Sequence, residues 1–343
     1  MPYHGAVKDR QIEACLNHPV EGEGNGFDRV RLAPDLPDFA FEEIDTSCEV
    51  LGKRLSLPLL ISSLTGGGRR SEALNRTLAE AAQALGLGMT VGSQRLMLEH
   101  PELATSFRVR RWAPDILLFA DLGLVHLTAG LGEEACRRAV EEIGADALVL
   151  YVNPIHEVLQ DGGSTNFRGL LDRLRELCGR FPYPVIVKEV GYGFSEASLR
   201  RLAGCGIAGL DVSGKGGTDW ARVQRAMWRT GPVDAFADFG VPAAESLEAA
   251  LRLLPEGVTV FASGGIRNGV EIAKALAMGA SCAGMGLPFL RWADESRERV
   301  VREVGRLEEE LRIGMWYAAA RDLRALRGKA QSARSEFCVP RSR

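Results

Sequence analysis

An α/β fold is expected for this chain, a (β/α)8 TIM barrel with an N-terminal extension and C-terminal helices, and three observations point to it. Short apolar runs alternate with amphipathic segments about eight times along the 343 residues, as a barrel of strand–helix units requires. Nearly every apolar run ends in a small, polar or charged residue, as strands do where they open onto a shared pocket. The last two runs end in glycine, at Gly264-Gly265 and at Gly286, the strand ends where such barrels hold phosphate. A doubly wound open sheet competes, but its G-x-G-x-x-G fingerprint after the first strand is missing.

Residues 1–56 precede the first strand and read as a cap on the barrel bottom plus a flexible loop, polar and glycine-rich over 21–26. Buried parallel strands are expected at 57–62, 88–91, 116–120, 147–152, 185–190, 209–212, 258–263 and 282–286, all short and apolar. Helical periodicity appears between them at 71–85, 133–143, 170–177, 195–203 and 270–278. Segment 218–254 is longer than one crossover needs, so a further turn and helix are expected there. Residues 293–326 form a charged amphipathic helical region, suited to outer packing or to contact within a homo-oligomer. From about Gly328 the chain reads as a frayed basic tail. The organisation is therefore a segment 1–56, a barrel with its C-terminal helix over 57–328, and a tail 329–343.

Composition narrows the function. A net charge of −3 gives no electrostatic reason for nucleic acid or an anionic membrane as partner. Seven cysteines, odd in number and without C-x-x-C, fit reduced thiols better than a disulfide framework or a zinc site. No apolar run approaches membrane-spanning length and no cationic start precedes an apolar stretch. The chain reads as cytoplasmic.

Candidate chemistry sits at the strand ends. Glycines at 264, 265 and 286 allow backbone N–H groups to approach an anion, and a helix starting at Asn268 adds its dipole. A phosphorylated cofactor or substrate is expected; a plain strand-to-helix turn is the competing reading. Lys188 ends an otherwise apolar strand, where a lysine is costly unless it faces an anion or an electron-rich ring. Either it pairs with Glu189 or Asp211, or it lies beside the N1/O2 edge of a flavin and stabilises the anionic reduced form. Glu157 with Asn153 suits Mg²⁺ shared with a substrate phosphate, against a solvated loop glutamate. His156 has the chemistry of a proton shuttle near neutral pH, against plain polar surface.

Taken together, Thr65-Gly66-Gly67, Gly92-Ser93-Gln94-Arg95, Asn153-x-x-His156-Glu157, Val187-Lys188-Glu189-Val190-Gly191, Ser213-Gly214-x-Gly216-Gly217-Thr218 and Ala262-Ser263-Gly264-Gly265 resemble the type 2 isopentenyl-diphosphate isomerases. The match runs in order from about Lys8 to the C-terminal helices. The resemblance implies an FMN site lined by Ser63, Leu64, Thr65, Ser93, Lys188, Ser213, Thr218, Gly264, Gly265 and Gly286. Asp121 joins that site where the family has Asn. It also implies that Lys8, Ser93, Gln94, Arg95, Asn153 and His156 meet a prenyl diphosphate, with Glu157 holding Mg²⁺ on the diphosphate and residues 1–56 covering the substrate. His156 and Lys188 are the expected catalytic groups. Family members use reduced FMN to interconvert isopentenyl and dimethylallyl diphosphate without net redox change, and NADPH supplies the reduced state.

The departures lie on the substrate side. The family's Arg-Lys and following His appear as Val7, Lys8 and Gln11. Its His-x-Asn-x-x-Gln-Glu appears as Tyr151-x-Asn153-x-x-His156-Glu157, and the arginine after the last strand is Leu287. Tyr151 and Leu287 offer apolar surface to a longer prenyl chain. The competing expectations are a related enzyme acting on another isoprenoid and a catalytically silent flavin-binding homologue. FMN-dependent oxidation of 2-hydroxy acids is disfavoured, because Ser263-Gly264-Gly265 offers no histidine base.

Overall fold

In the computed structural model, which describes residues 5–160, 162–228 and 235–332, eight parallel strands close into a barrel. Strands β1 (Val30–Leu32), β2 (Cys48–Val50) and β3 (Lys53–Leu55) precede it. The barrel is β4 (Leu59–Ile61), β5 (Gly88–Thr90), β6 (Leu118–Gly123), β7 (Ala147–Val152), β8 (Val185–Glu189), β9 (Gly209–Asp211), β10 (Thr259–Ser263) and β11 (Cys282–Met285), with β11 closing on β4. A final strand, β12 (Ala330–Ser332), lies outside. All eight expected barrel strands are present. The third runs on to Gly123, so Asp121 lies within it and not beyond its end. Its polarity suggested a strand end, yet the ladder to β7 continues from Asp121↔Val149 to Gly123↔Tyr151.

The pleat explains how a dry core and a polar mouth share the same strands. Leu60, Phe119, Val149, Ile186, Phe261 and Cys282 form one buried apolar layer, with the Phe119 and Phe261 rings packed edge-on at 5.8 Å. Two residues further along each strand, on the same face, come Ser62, Asp121, Tyr151, Lys188, Ser263 and Gly284. The hairpin of β2 and β3 plugs the lower end, with Val50 and Leu55 packed into that apolar layer.

Around the barrel run α1 (Ala6–Asn17), α2 (Ser71–Leu85), α3 (Arg95–Glu99), α4 (Glu133–Ile143), α5 (Pro154–Leu159), α6 (Leu170–Cys178) and α7 (Glu196–Leu202). They are followed by α8 (Trp220–Trp228), α9 (Ala243–Leu253), α10 (Gly269–Met278), α11 (Leu287–Glu295), α12 (Arg297–Tyr317) and α13 (Leu323–Leu326). Helix α2 buries Leu74, Leu78, Ala81 and Ala82 at three- and four-residue spacing. Ser195 and Asn268 cap α7 and α10 by accepting the N–H three residues on. The long segment before β10 holds both α8 and α9; residues 229–234 lie outside the described residues. The charged C-terminal region breaks at Ser296, whose hydroxyl caps α12. Helix α12 then buries Val300, Val304, Leu307, Leu311 and Met315, forming the outer packing layer over α10 and α2.

Three expectations need correction. Residues 1–56 do more than cap the bottom, because α1 packs on α8 beside the mouth and buries Ile12, Ala14 and Cys15. The glycine-rich stretch 21–26 is tied down and not a free loop. Gly22 N–H donates to Gly217 O at 2.8 Å, and Asn25 Nδ2 to Gly265 O at 2.8 Å. The expected tail begins as β12, paired antiparallel with β1 from Val30↔Ser332 to Leu32↔Ala330; residues 333–343 lie outside the described residues.

Candidate active site

Two adjoining cavities open at the C-terminal ends of the strands, sharing Lys8, Gln11, Ser63, Leu64, Lys188, Val190 and Trp220. The first is shaped by the loops after β9, β10 and β11. Gly264 and Gly265 have φ of 103° and 83°, and a Cβ on either would collide with the carbonyl oxygen of Gly214 or Gly216. These glycines let two loops nest backbone against backbone. Gly286 is different: a Cβ there would stand 3.5 Å from Leu64 Cδ2, an ordinary contact, so the protein itself leaves room for a side chain. The N–H groups of Gly264, Gly265 and Gly286 make no hydrogen bond to another described residue.

Helix α10 contributes less than expected. Its Asn268 start is present, but the N–H groups of Arg267, Gly269 and Glu271 already donate to Glu271, Glu310 and Asn268. Among the described residues the loop glycines are therefore free backbone donors of this cavity. Arg267 reaches the same cavity, while Glu21 holds it and Arg291, the latter at 2.8 Å. Ser213 lines the wall at φ 32°, an uncommon conformation for serine and a local strain. Thr65 and Thr218 line it too; the Thr65 hydroxyl bonds Ser71 Oγ at 2.8 Å. Ser63 donates to Val91 O at 2.9 Å, and Ser62 Oγ is buried without a partner.

Lys188 stands on the shared wall, where its pairing with Asp211 is present. Its Nζ lies 3.1 Å from Asp211 Oδ2, with both side chains buried, and donates to Glu189 O at 3.0 Å. Glu189 does not pair with it through its carboxylate, which instead accepts the N–H groups of Val190, Tyr192 and Gly193.

The second cavity is walled by titratable side chains. Asp121 is 1% exposed and neither carboxylate oxygen has a hydrogen-bond partner. Burial pushes its pKa up to about 7, against the pull of Ser63, Lys188 and Lys8. Tyr151 lies beside Ser93, and burial together with the Asp121 and Glu157 carboxylates raises its pKa well above the usual phenol range. Burial, then the Lys8 charge, push His156 down to about 3. Its ring sits 4.4 Å from that of Trp220, and its Nε2 is buried without a partner. Burial thus works against the titration near neutral pH that the residue type suggests for His156. Lys8 is drawn toward its neutral form by burial, opposed by Asp121 and Glu157.

Glu157 is buried, faces this cavity and accepts Gln160 Nε2 at 2.9 Å and Ser164 N–H at 2.7 Å. Among the described residues no group of three His, Cys, Asp or Glu side chains is placed to hold a metal. A cation at Glu157 therefore needs further oxygen ligands from a substrate, water or neutral protein groups. Ser93 and Arg95 line the cavity, Arg95 with an exposed side chain.

Two expected substrate residues are placed elsewhere. Gln94 is fully buried and lines neither cavity; its amide donates to Ala139 O at 2.8 Å and accepts Asp121 N–H at 3.0 Å. It holds β6 in place. Asn153 caps α5, accepting His156 N–H at 2.9 Å and donating to Val190 O at 3.0 Å. Sequence reasoning passed over Ser62, His126 and Trp220, which line these cavities. His126 is itself pushed down to about 4, by burial and then Arg95. Of these, Ser62 carried a sequence signal: it stands beside Ser63 at a strand end.

A sequence profile of the FMN-dependent dehydrogenase family matches residues 156–332. The chain is 47% identical over 307 residues to an isopentenyl-diphosphate delta-isomerase of Xanthobacter autotrophicus, covering 88% of this chain and 89% of that protein. It is 44% identical to the enzyme of the same name from Synechococcus, over 93% of this chain and 94% of that one. The Deinococcus radiodurans protein of that name is 41% identical, over 94% and 96% respectively. Among solved structures, a flavocytochrome b2 mutant superposes with a TM-score of 0.71 at 18% identity, covering 99% of this chain and 88% of that one. A mutant of an (S)-mandelate dehydrogenase chimera gives a TM-score of 0.66 at 20% identity, over 95% and 99%. At such identities these structures speak for the barrel fold.

Proposed function

The chain belongs to the isopentenyl-diphosphate delta-isomerase family, within the FMN-dependent dehydrogenases, and from that premise we propose that it interconverts isopentenyl and dimethylallyl diphosphate with FMN and Mg²⁺. The observation that carries this reading is the pair of adjoining cavities, one offering unpaired backbone donors and the other a buried carboxylate set among cations. The cofactor fits on three counts: unpaired glycine N–H groups for a phosphate, a buried lysine, and orphaned oxygens at Ser62 and Asp121.

In this reading Gly264, Gly265 and Gly286 take the FMN phosphate. Ser63, Leu64, Thr65, Ser93, Asp121, Ser213 and Thr218 line the flavin, and Lys188 places its charge at the ring. Bound and reduced, FMN supplies the group that exchanges protons with the alkene, as the resemblance implies. Lys8, Arg95 and Ser93 face the diphosphate, with Glu157 sharing Mg²⁺ with it. Neutral His156 offers Nε2 as a hydrogen-bonding group, and Trp220 excludes water.

A longer prenyl chain is the second reading, favoured by the wall of Val7, Leu64, Leu96, Tyr151 and Trp220. The proposal includes NADPH as reductant, a cytoplasmic location and a homo-oligomer. Ile313, Tyr317 and Val270, which line one exposed groove and are 52%, 53% and 40% exposed, support the last. The test incubates the FMN-loaded protein with Mg²⁺, a reductant and isopentenyl diphosphate, with longer prenyl diphosphates in parallel. Dimethylallyl diphosphate formation supports the isomerase. Turnover of only the longer substrates selects the second reading, and none on any substrate rejects both.

A further inference from the structure

Asp121 differs from the other acids of the mouth. Glu157 has two donors and Asp211 has Lys188, whereas both oxygens of Asp121 are buried without a hydrogen-bond partner, the nearby Ser63 hydroxyl giving its hydrogen to Val91 O. Charged and titratable groups face it from several elements: Lys8 on α1, Lys188 on β8 and Tyr151 on β7. Arg95, His126, His156 and Glu157 complete the same cavity. Few of them balance a carboxylate at this place. Lys188 is already matched by Asp211 at 3.1 Å, Arg95 lies 3.9 Å from Glu99, and burial opposes the charged forms of Lys8, His126 and His156. A second anion brought into this cavity meets like charge in a medium that screens it poorly.

We propose that Asp121 takes up a proton when flavin held in this mouth is reduced, so that reduction carries one more proton than it would with an amide at this position. The inference rests on the FMN reading above. The balance is explicit: oxidised flavin, two electrons and one proton give the anionic reduced ring, and the Asp121 carboxylate and a second proton give the carboxylic acid. With dithionite as reductant, both protons come from solvent. The Asn that the resembling family carries here has no proton to gain. Asp121 thus acts as a charge-setting residue, keeping the cavity from holding two adjacent anions while its own pKa, already raised by burial to about 7, rises further.

The experiment measures the midpoint potential of the FMN-loaded protein from pH 6 to 9, for wild type, Asp121→Asn and Asp121→Ser. Wild type is expected to show the steeper slope above about pH 7, approaching one added proton per two electrons. The reduction equilibrium would then change up to tenfold more per pH unit than in the variants. Equal slopes in wild type and in a flavin-bound variant overturn the inference. Should Asp121→Asn lose flavin, Asp121→Ser carries the same comparison. Should both lose it, dye-monitored proton uptake by reduced wild type decides: uptake that stays at one proton per flavin across this range overturns it. A wild type that takes up no FMN overturns the cofactor reading, and this inference with it.

Discussion

Loops after β9, β10 and β11 shape one side of the barrel mouth almost entirely with backbone, whereas β6, β7 and α5 shape the other with titratable side chains. On the first side the constraint is steric. Gly264 and Gly265 sit at positive φ against Gly214 and Gly216, a fit that depends on the absence of Cβ atoms and is indifferent to pH. On the second side the constraint is electrostatic, and burial moves Asp121 and His156 in opposite directions until the acid titrates above the imidazole. A site made of backbone keeps its character wherever the fold forms. A site made of ionisable groups takes its character from what surrounds it.

The sharpest way to break the contrast is at the glycines. Gly265→Val is expected to abolish FMN retention and to lower stability by roughly 3 kcal/mol or more, because the clash with Gly216 is with backbone and the φ is unfavourable to valine. Gly286→Ala, where a Cβ has room, should fold normally and weaken FMN binding only. Flavin absorbance after gel filtration and a thermal melt check both; equal melting losses would show that Gly286 is as tightly constrained as Gly265.

Next in size is Lys188→Met, which leaves Asp211 buried without its cation. A loss of about 3–5 kcal/mol is expected, with Asp211→Asn restoring much of it in the double variant. In flavin-bound protein the same change should lower the midpoint potential. Denaturant titration of the four proteins measures the coupling, and simple additivity would mean that the pair is not coupled.

On the side-chain half, Glu157→Gln is expected to weaken Mg²⁺ binding in the presence of inorganic diphosphate by at least about tenfold, or about 1.4 kcal/mol. Calorimetry giving equal affinities removes Glu157 from the metal assignment.

Two further effects, each absent at one end of the pH range, carry opposite signs of pH dependence. Asp121 holds its proton more tightly folded than unfolded, with a pKa raised from 3.8 to about 7, so its contribution to stability is lost as pH rises through that window. Asp121→Asn should be neutral at pH 4 and stabilising by about 1–3 kcal/mol at pH 8. His156 is lowered from 6.5 to about 3, so stability is lost as pH falls below 6.5. His156→Gln should be neutral at pH 8 and stabilising by about 1–2 kcal/mol at pH 5. Urea titrations at the two pH values measure both differences, and changes of the same sign would undo the account of opposed burial shifts.

Much of this protein is local and therefore legible in its sequence. Eight apolar runs locate eight barrel strands, because a parallel strand covered on both faces is apolar along most of its length. The 71–85 and 133–143 periodicities match α2 and α4 residue for residue, because one buried stripe repeats at helical spacing. Glycine pairs marked the loops that nest against each other after β9 and β10, since positive φ and close backbone approach are properties that a residue type reveals by itself. What only the tertiary structure decided depends on partners distant in the chain. The stretch 21–26 is polar and glycine-rich and reads as loose, yet Asn25 bonds Gly265 across 240 positions. Gln94 looks like a substrate residue until its amide is seen spent on Ala139 and Asp121. Helix α1 gave no strong periodic signal, since its weak amphipathicity is resolved only when α8 packs against it. The proton chemistry of Asp121 and His156 belongs to the same category. A residue type sets a reference pKa, but burial and neighbouring charge shift it by several units, and both exist only once the barrel has closed.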